Sequence, residues 1–126
     1  MVGNGKVVLV VEDSPVQALA LVELLQREGM EVLCAPNGRS GLLLAERYLP
    51  DIIVLDVQMP EMDGLEACRQ LKGNPHTANI PIVLLTAHSE PHVLKEGFEG
   101  GAVDFIPKDA FSGVVLLETL RQLDIL

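Results

Sequence analysis

Residues 51–60 read DIIVLDVQMP, an apolar run that ends at a carboxylate and is followed by a Met-Pro pair. The unbroken β-branched and leucine residues at 52–55 are typical of a strand buried on both faces, as in a parallel sheet. Asp56 is then at the C-terminal end of that strand, on the edge of an open α/β sheet where ligands bind. By itself this position fits a reactive carboxylate and an ordinary strand-ending residue equally well.

Similar apolar runs recur along the chain and alternate with segments of helical spacing. Strands are predicted at residues 6–11, 31–35, 52–55, 80–85 and 103–106. Helices are predicted at about 15–28, 40–48, 64–72, 91–98 and 110–123. Five strands alternating with five helices predict an α/β fold, a doubly wound parallel sheet covered on both faces, with right-handed crossovers. We expect one domain over residues 1–126, with its core over about 6–123.

Local signals refine these predictions. Ser14 or Asp13 is expected to cap the first helix, with Pro15 at its first position. Asp63 is expected to cap the third helix. Residues 36–38, Pro-Asn-Gly, are predicted to form a turn, because Asn-Gly tolerates positive φ.

The apolar faces of the first and last helices are broad in the sequence. The first helix carries two helically spaced sets, Leu19, Val22 and Leu25 together with Ala18 and Leu21. The last helix offers two alternatives, Val114, Leu117 and Leu120 or Leu116, Leu120 and Leu123.

The fourth helix is predicted to be short and mobile. It contains Gly97 and is followed by Gly100 and Gly101, and each interior glycine costs about 1 kcal/mol in a helix.

Composition excludes several classes of protein. The 126 residues are 48% hydrophobic and 21% charged, as in a soluble globular domain. A net charge of -9 without Lys/Arg clusters argues against direct nucleic-acid binding. No apolar run reaches about 18 residues, so no membrane insertion is expected. The N-terminus lacks a signal-peptide core, and Cys34 and Cys68 lack C-x-x-C spacing, so we expect a cytoplasmic protein with reduced, packed cysteines.

Chemically capable side chains follow four of the five predicted strands. Glu12 and Asp13 follow the first, Asp56 the third, Thr86 the fourth and Lys108 the fifth. Taken singly, each has an ordinary interpretation, such as a helix cap, a strand-end hydroxyl or a solvated lysine. Their joint occurrence at matching strand ends favours a functional site.

This set of residues suits phosphoryl chemistry. Three carboxylates in one place raise one another's pKa, and a bound Mg²⁺ with oxygen ligands resolves that conflict. Glu12, Asp13 and Asp56 offer such oxygens, and a backbone carbonyl near Gln58 could add another. A carboxylate beside the metal can attack phosphorus to give an aspartyl phosphate. The transferred group also needs countercharge and donors, which the ammonium and hydroxyl at positions 108 and 86 provide.

On these motifs the chain resembles the receiver domain of two-component response regulators, the chemotaxis-receiver type. The matching segments are VVED at 10–13, LDVQMPEMDG at 55–64, TA at 86–87 and GAVDFIPK at 101–108. The resemblance spans nearly the whole chain and implies a flavodoxin-like (βα)5 fold with strand order 2-1-3-4-5.

The resemblance implies a phosphorylation switch. A histidine kinase or histidine phosphotransfer protein would donate a phosphoryl group to Asp56, with Mg²⁺ held by Glu12, Asp13, Asp56 and the Gln58 carbonyl. Such a domain catalyses only its own phosphoryl transfer and slow dephosphorylation, and is not an enzyme in the ordinary sense.

The resemblance also assigns the switch and the residues around it. Lys108 and Thr86 would bind the phosphoryl oxygens, and Thr86 and Phe105 would move inward and change the surface of the fourth helix, fifth strand and fifth helix. Gln58 and His88 flank the site and are expected to tune the lifetime of the phosphoryl group. A downstream effector domain or protein is implied, and a homodimer through the fourth and fifth helices is the family's habit.

One departure from the family pattern concerns the residue after the lysine. The family usually has proline there, often in a cis peptide, whereas here Asp109 follows Lys108 and Pro107 precedes it. A cis bond before a non-proline residue costs about 3–4 kcal/mol, so we expect a trans peptide and a somewhat different loop.

Other functions fit the sequence less well. A haloacid-dehalogenase-type phosphatase needs a second acid where Gln58 stands. A flavodoxin-type flavin site needs a phosphate loop where Glu12 and Asp13 would repel the phosphate. Zinc binding through His88 and His92 has no evident third ligand. The main alternative is a degenerate receiver that acts only as an interaction module, which the complete set of site residues disfavours. The output, the cognate kinase and whether the chain is a stand-alone receiver or part of a longer protein stay open.

Overall fold

The computed structural model describes residues 5–87, 90–109 and 112–126. The strands are β1 (Val7–Val11), β2 (Glu31–Ala35), β3 (Ile52–Asp56), β4 (Ile82–Thr86) and β5 (Asp104–Pro107). The helices are α1 (Pro15–Arg27), α2 (Gly38–Tyr48), α3 (Gly64–Gly73), α4 (Pro91–Glu99) and α5 (Ser112–Gln122). The predicted alternation is confirmed, with most boundaries within two residues. The predicted start of the last helix at residue 110 lies outside the described residues.

The five strands form one parallel sheet in the order β2-β1-β3-β4-β5, as expected. The register keeps the strand ends level, because Val11 pairs with Leu55 and Thr86 pairs with Pro107. The carboxyl ends of β1, β3, β4 and β5 therefore meet at one edge of the sheet. This edge receives the polar residues that end or follow the four strands.

Alternate strand residues face opposite sides of the sheet and build two cores. One core contains Leu9 and Ile53 and packs against α2 and α3 through residues such as Ala45 and Leu71. The other core consists of strand residues from the opposite face and the buried residues of α1 and α5, including Leu21, Leu25, Leu116 and Leu120. Because both faces are covered, β3 and β4 are buried along their whole length, as their unbroken apolar sequences predict.

The helix caps follow local chemistry. The Ser14 side chain accepts a hydrogen bond from the Gln17 N–H at 3.4 Å, with Pro15 at the first helical position. Asp63 accepts from the Glu66 N–H at 2.9 Å and caps α3, as expected.

The predicted turn at residues 36–38 is wrong. Asn37 has φ −157° and its side chain accepts from the Ser40 N–H at 2.8 Å, so it caps α2. Gly38 is the first residue of that helix and does not adopt positive φ. An asparagine is as good a helix N-cap as a turn residue, and here the helix follows at once.

Two predicted core positions are exposed instead. Leu19 is 58% exposed and Val114 is 69% exposed. The buried stripe of α1 is restricted to Ala18, Leu21 and Leu25, and that of α5 is centred on Leu116 and Leu120, the second of the two predicted faces. Each helix meets the sheet along one stripe, so the additional apolar residues at neighbouring angles face solvent.

The two cysteines differ in their surroundings. Cys68 is a buried packing residue, as predicted, whereas Cys34 is exposed. Cys34 lies in β2, which is one of the two edge strands of the sheet and is less covered than the central strands. Both are free thiols.

One further prediction concerns a peptide bond, and a separate observation concerns the helices. The Lys108–Asp109 peptide is trans, as are all peptide bonds within the described residues. Among those residues, none of the helices has the length and apolar character needed to cross a membrane.

Gly97 lies in the middle of α4, and the structure explains why a glycine is there. A Cβ at this position would come within 2.3 Å of the Phe105 ring and 2.9 Å of Leu84. The ring of Phe105 also packs edge-on against Phe98, with centroids 5.3 Å apart. The glycine that weakens the helix therefore makes room for the aromatic ring of β5. The helix has nine residues, which confirms that it is short, and its mobility stays a prediction.

We expect Gly97→Ala to lower the free energy of unfolding by about 1–3 kcal/mol, since overpacking against Phe105 outweighs the gain in helix propensity. Gly73→Ala is the matched control, because nothing lies within 4 Å of its Cβ position at the end of α3. Urea unfolding of both variants measures the difference. A Gly97→Ala protein as stable as Gly73→Ala would contradict this packing argument.

Candidate functional site

Three carboxylates converge at the carboxyl edge of the sheet. Glu12 directly follows β1, Asp13 comes next, and Asp56 is the last residue of β3. Each offers an oxygen within 4.8 Å of the others. Glu12 and Asp56 are 3% and 1% exposed, whereas Asp13 is exposed. The structure thus brings together the acids that the sequence placed at this edge.

Lys108 compensates part of this negative charge. Its Nζ atom lies 2.9 Å from Glu12 Oε2 and 2.9 Å from Asp56 Oδ2. It also donates a hydrogen bond to Gln17 Oε1 at 2.8 Å. These three contacts match the three donors of an ammonium group and fix its position between β1, β3 and α1.

Gln17 is a contact that sequence reasoning missed. It is in the first turn of α1 and is separated from Lys108 by 91 residues. Its position one turn after the acidic pair places it near the site, but no pattern in the sequence links it to the lysine.

The electrostatic balance of the site is unfavourable for its carboxylates. Burial raises the pKa of Glu12, and the neighbouring Asp56 adds to the rise, against the opposing effects of Lys108 and the Ser14 N–H. For Lys108, burial lowers the pKa, but the hydrogen bonds and charges of Asp56 and Glu12 outweigh it, so the pKa is raised. One ammonium thus faces three acids, and an additional cation would stabilise the ionised cluster.

The arrangement fits a divalent cation on its own geometry. Glu12 Oε2 is buried and forms an ion pair with the Lys108 ammonium, 2.9 Å away. The three acids supply hard oxygen ligands of the kind that Mg²⁺ prefers, and the exposed Asp13 leaves a side open to water.

Gln58 spans the distance between the end of β3 and the end of β4. Its main-chain N–H donates to Asp56 Oδ1 at 3.2 Å. Its side-chain Nε2 donates to Thr86 Oγ1 at 3.2 Å, and its Oε1 accepts from the Ala87 N–H at 3.1 Å. The sequence pointed to Gln58 for its carbonyl and for tuning, and did not reveal this side-chain bridge.

The loop after β3 returns closely to the strand. The Gly64 N–H donates to the Val57 carbonyl at 2.9 Å, and a Cβ on Gly64 would lie 2.2 Å from the Asp56 carbonyl oxygen. Only glycine permits this approach, which brings the start of α3 against the segment that carries Asp56.

Thr86 and Phe105 lie on the same face of the sheet. Phe105 pairs with Leu84, and Thr86, two residues further along β4, pairs with Pro107. Thr86 is fully buried and Phe105 is half-buried against the core on the side of α4. The structure therefore places the Thr86 hydroxyl and the Phe105 ring on one face of the sheet, and their role as switch residues stays a prediction. His88 lies outside the described residues.

The chain matches the family model of the response regulator receiver domain over residues 8–121. It belongs to this family. Receiver domains are signalling switches of two-component systems rather than classical enzymes; in the family they bind Mg²⁺ and interact with histidine kinases and effector domains.

Individual relatives agree with this assignment. The chain is 43% identical over 116 residues to the response regulator PleD of Caulobacter vibrioides, covering 92% of this chain and 25% of that protein. It spans about a quarter of the length of the first curated relatives that it matches. The chemotaxis protein CheY4 of Vibrio cholerae has a TM-score of 0.88 and 33% identity, with 94% of this chain and 98% of that chain covered.

A third similar protein is the receiver domain of a sensor histidine kinase from Pseudomonas aeruginosa PAO1. Its solved structure has a magnesium ion coordinated in the active-site cleft. The TM-score is 0.85 and the identity 28%, with 94% of this chain and 96% of that chain covered.

We expect Mg²⁺ to raise the melting temperature of the protein by several degrees, because an ion that binds only the folded state adds about 2.7 kcal/mol at 100 times its dissociation constant. Asp13→Asn should reduce this shift at least by half, since it removes one charged ligand without disturbing the core. Differential scanning calorimetry with and without Mg²⁺ measures the shift.

The control is Asp124→Asn, a change of the same charge at an exposed position with φ 60°, which asparagine also tolerates. An equal Mg²⁺ shift in all three proteins would argue against a metal site at the acidic cluster.

Proposed function

We propose that the chain is a phosphorylation-dependent switch that accepts a phosphoryl group on Asp56 from a histidine kinase or phosphotransfer protein. The observation that carries this proposal is the position of Asp56, buried at the end of β3 with its Oδ2 atom 2.9 Å from the Lys108 ammonium. Residues 1–126 act as one receiver domain, with a core over residues 6–123.

Asp56 is the nucleophile of the proposed reaction. One of its oxygens attacks the phosphorus of a phosphohistidine, the phosphorus–nitrogen bond breaks, and the imidazole leaves with a proton from solvent. The attack joins two negatively charged groups, so the reaction depends on positive charge and donors that are already in place. Slow hydrolysis of the resulting acyl phosphate returns the domain to its resting state.

The acidic cluster is proposed to hold Mg²⁺ through Glu12, Asp13, Asp56 and the main-chain carbonyl of Gln58. The metal supplies positive charge for the oxygens of the transferred group. Support comes from the 4.8 Å cluster of carboxylate oxygens and from the burial of Glu12 and Asp56. The similar kinase receiver domain has a magnesium ion coordinated in its active-site cleft.

Lys108 is proposed to exchange one hydrogen-bond acceptor for another as the reaction proceeds. In the structure its ammonium contacts oxygens of both buried acids. Once an oxygen of Asp56 is esterified, that carboxylate loses its full charge and the ammonium donates to a phosphoryl oxygen instead. Gln17 holds the lysine from the side of α1 during this exchange.

Thr86 and Phe105 are proposed to carry the change to the surface. A hydroxyl drawn towards the phosphoryl group leaves space on the face of the sheet that both residues share, and the Phe105 ring moves into it. The surface of α4, β5 and α5 then differs between the two states, which an effector domain or protein can recognise. Gln58 and His88 are proposed to influence how long the phosphoryl group persists.

The interaction-module alternative is not favoured. A receiver that only binds partners has no need for the ion pairs between a partly buried lysine and two buried acids, which cost desolvation. The site retains the acceptor, the acids, the lysine and the hydroxyl.

We expect incubation with Mg²⁺ and a small phosphodonor such as acetyl phosphate to add one phosphoryl mass to the wild-type protein. Asp56→Asn should abolish this adduct, because an amide is not a nucleophile under these conditions. Intact-protein mass spectrometry measures the adduct.

The matched control is Asp63→Asn, the same change at the cap of α3, since asparagine caps a helix about as well as aspartate. It should retain the adduct. A wild-type protein that takes up no phosphoryl group at any donor concentration would leave the interaction-module function as the better explanation.

A further inference from the structure

The side chain of Gln58 is fixed at both ends of its amide. Its Nε2 group donates to Thr86 Oγ1 at 3.2 Å and its Oε1 atom accepts from the Ala87 N–H at 3.1 Å. Its own main-chain N–H donates to the acceptor carboxylate at 3.2 Å. One residue therefore connects the reacting group on β3 with the polar end of β4.

The two groups that Gln58 contacts are hydrogen-bonding groups at the mouth of the site. A main-chain N–H has one hydrogen, so Ala87 cannot donate to a second acceptor with good geometry while it donates to Gln58. The oxygen of the Thr86 hydroxyl accepts a hydrogen bond from the Gln58 amide. An incoming phosphoryl group that accepts from the Ala87 N–H has to displace Gln58 Oε1 first. The Thr86 hydroxyl keeps its own hydrogen to donate, but the Gln58 Nε2 group restrains its position.

We propose that Gln58 is a positioning residue that locks the resting arrangement of the end of β4, and that its amide must release Thr86 and Ala87 before the phosphoryl group is bound. This inference rests on the proposed phosphorylation of Asp56. The proposed lock affects the rate at which Asp56 gains the phosphoryl group. A role of Gln58 in lifetime would affect the rate at which that group is lost.

The lock predicts a specific kinetic effect. Breaking the two hydrogen bonds is part of the cost of reaching the transition state for phosphoryl gain. In the phosphorylated protein the amide has already moved, so its release no longer contributes to the barrier for hydrolysis. Removing the amide should therefore accelerate phosphoryl gain.

Gln58 is a suitable position for mutation because its side chain is exposed. Gln58→Met retains the length and flexibility of the side chain and removes both the donor and the acceptor. No cavity forms in the core. Gln70→Met is the matched control, because the Gln70 amide contacts only Glu66 on the surface of α3 among the contacts described.

The experiment measures three quantities at fixed Mg²⁺. Intact-mass kinetics with acetyl phosphate give the rate of phosphoryl gain, and the decay of the adduct after donor removal gives the rate of loss. Amide hydrogen exchange, followed by NMR in the unphosphorylated protein, reports the protection of the Ala87 N–H.

We expect Gln58→Met to gain the phosphoryl group about three- to tenfold faster than wild type, in line with the net strength of one hydrogen bond. Its Ala87 N–H should exchange faster, and Gln70→Met should behave as wild type in both measurements. A rate of gain that is unchanged or slower, a change confined to the rate of loss, or unchanged exchange at Ala87 would overturn the lock.

The lock and the proposed function fail in different ways. If wild type gains no phosphoryl group, the proposed function is wrong and the lock is wrong with it. If wild type gains the group and Gln58→Met gains it no faster, the proposed function stands and the lock alone is wrong.

Discussion

The site depends on burying the Asp56 and Glu12 carboxylates beside a single ammonium group. Two acids that are almost wholly inaccessible to water would be costly without Lys108, whose Nζ atom lies 2.9 Å from each. The compensation is incomplete, because Asp13 adds a third negative charge at the rim. This residual negative charge favours the binding of a cation. The Lys108 ammonium also lies beside Asp56, the carboxylate that is proposed to accept the phosphoryl group.

The parallel sheet makes this arrangement possible. Its register aligns the ends of β1, β3, β4 and β5, so residues far apart in sequence meet at one edge without any loop reaching across the domain. Asp56 and Thr86 are the last residues of β3 and β4, and Glu12 and Lys108 directly follow β1 and β5. The close approach of Gly64 to the Asp56 carbonyl fixes the segment after β3 in the same way.

Most of the fold could be predicted from the sequence, because the central strands β1, β3 and β4 are largely buried on both faces and read as apolar runs. The acids, Thr86 and Lys108 were predictable for the same reason, since each ends or follows such a run. The Asn37 cap could not be predicted, because Asn-Gly suits both turns and helix starts. The exposure of Leu19 could not be predicted either, because a broad apolar stripe does not reveal which part of the helix meets the sheet. The contacts of Gln17 and of the Gln58 side chain depend on side-chain geometry between distant elements, for which the sequence has no periodic signal.

The contact between Gly97 and Phe105 has a thermodynamic consequence. Because the ring occupies the space that a Cβ would need, the position of the ring and the position of α4 cannot vary independently. Any partner that prefers one position of α4 therefore also prefers one position of the ring. Linkage is reciprocal. If the domain switches as proposed, a partner on the outer surface of α4 that binds the two states with different affinities changes the equilibrium for phosphorylation by the same factor. An effector that is controlled by such a domain would in turn control how readily the domain is phosphorylated.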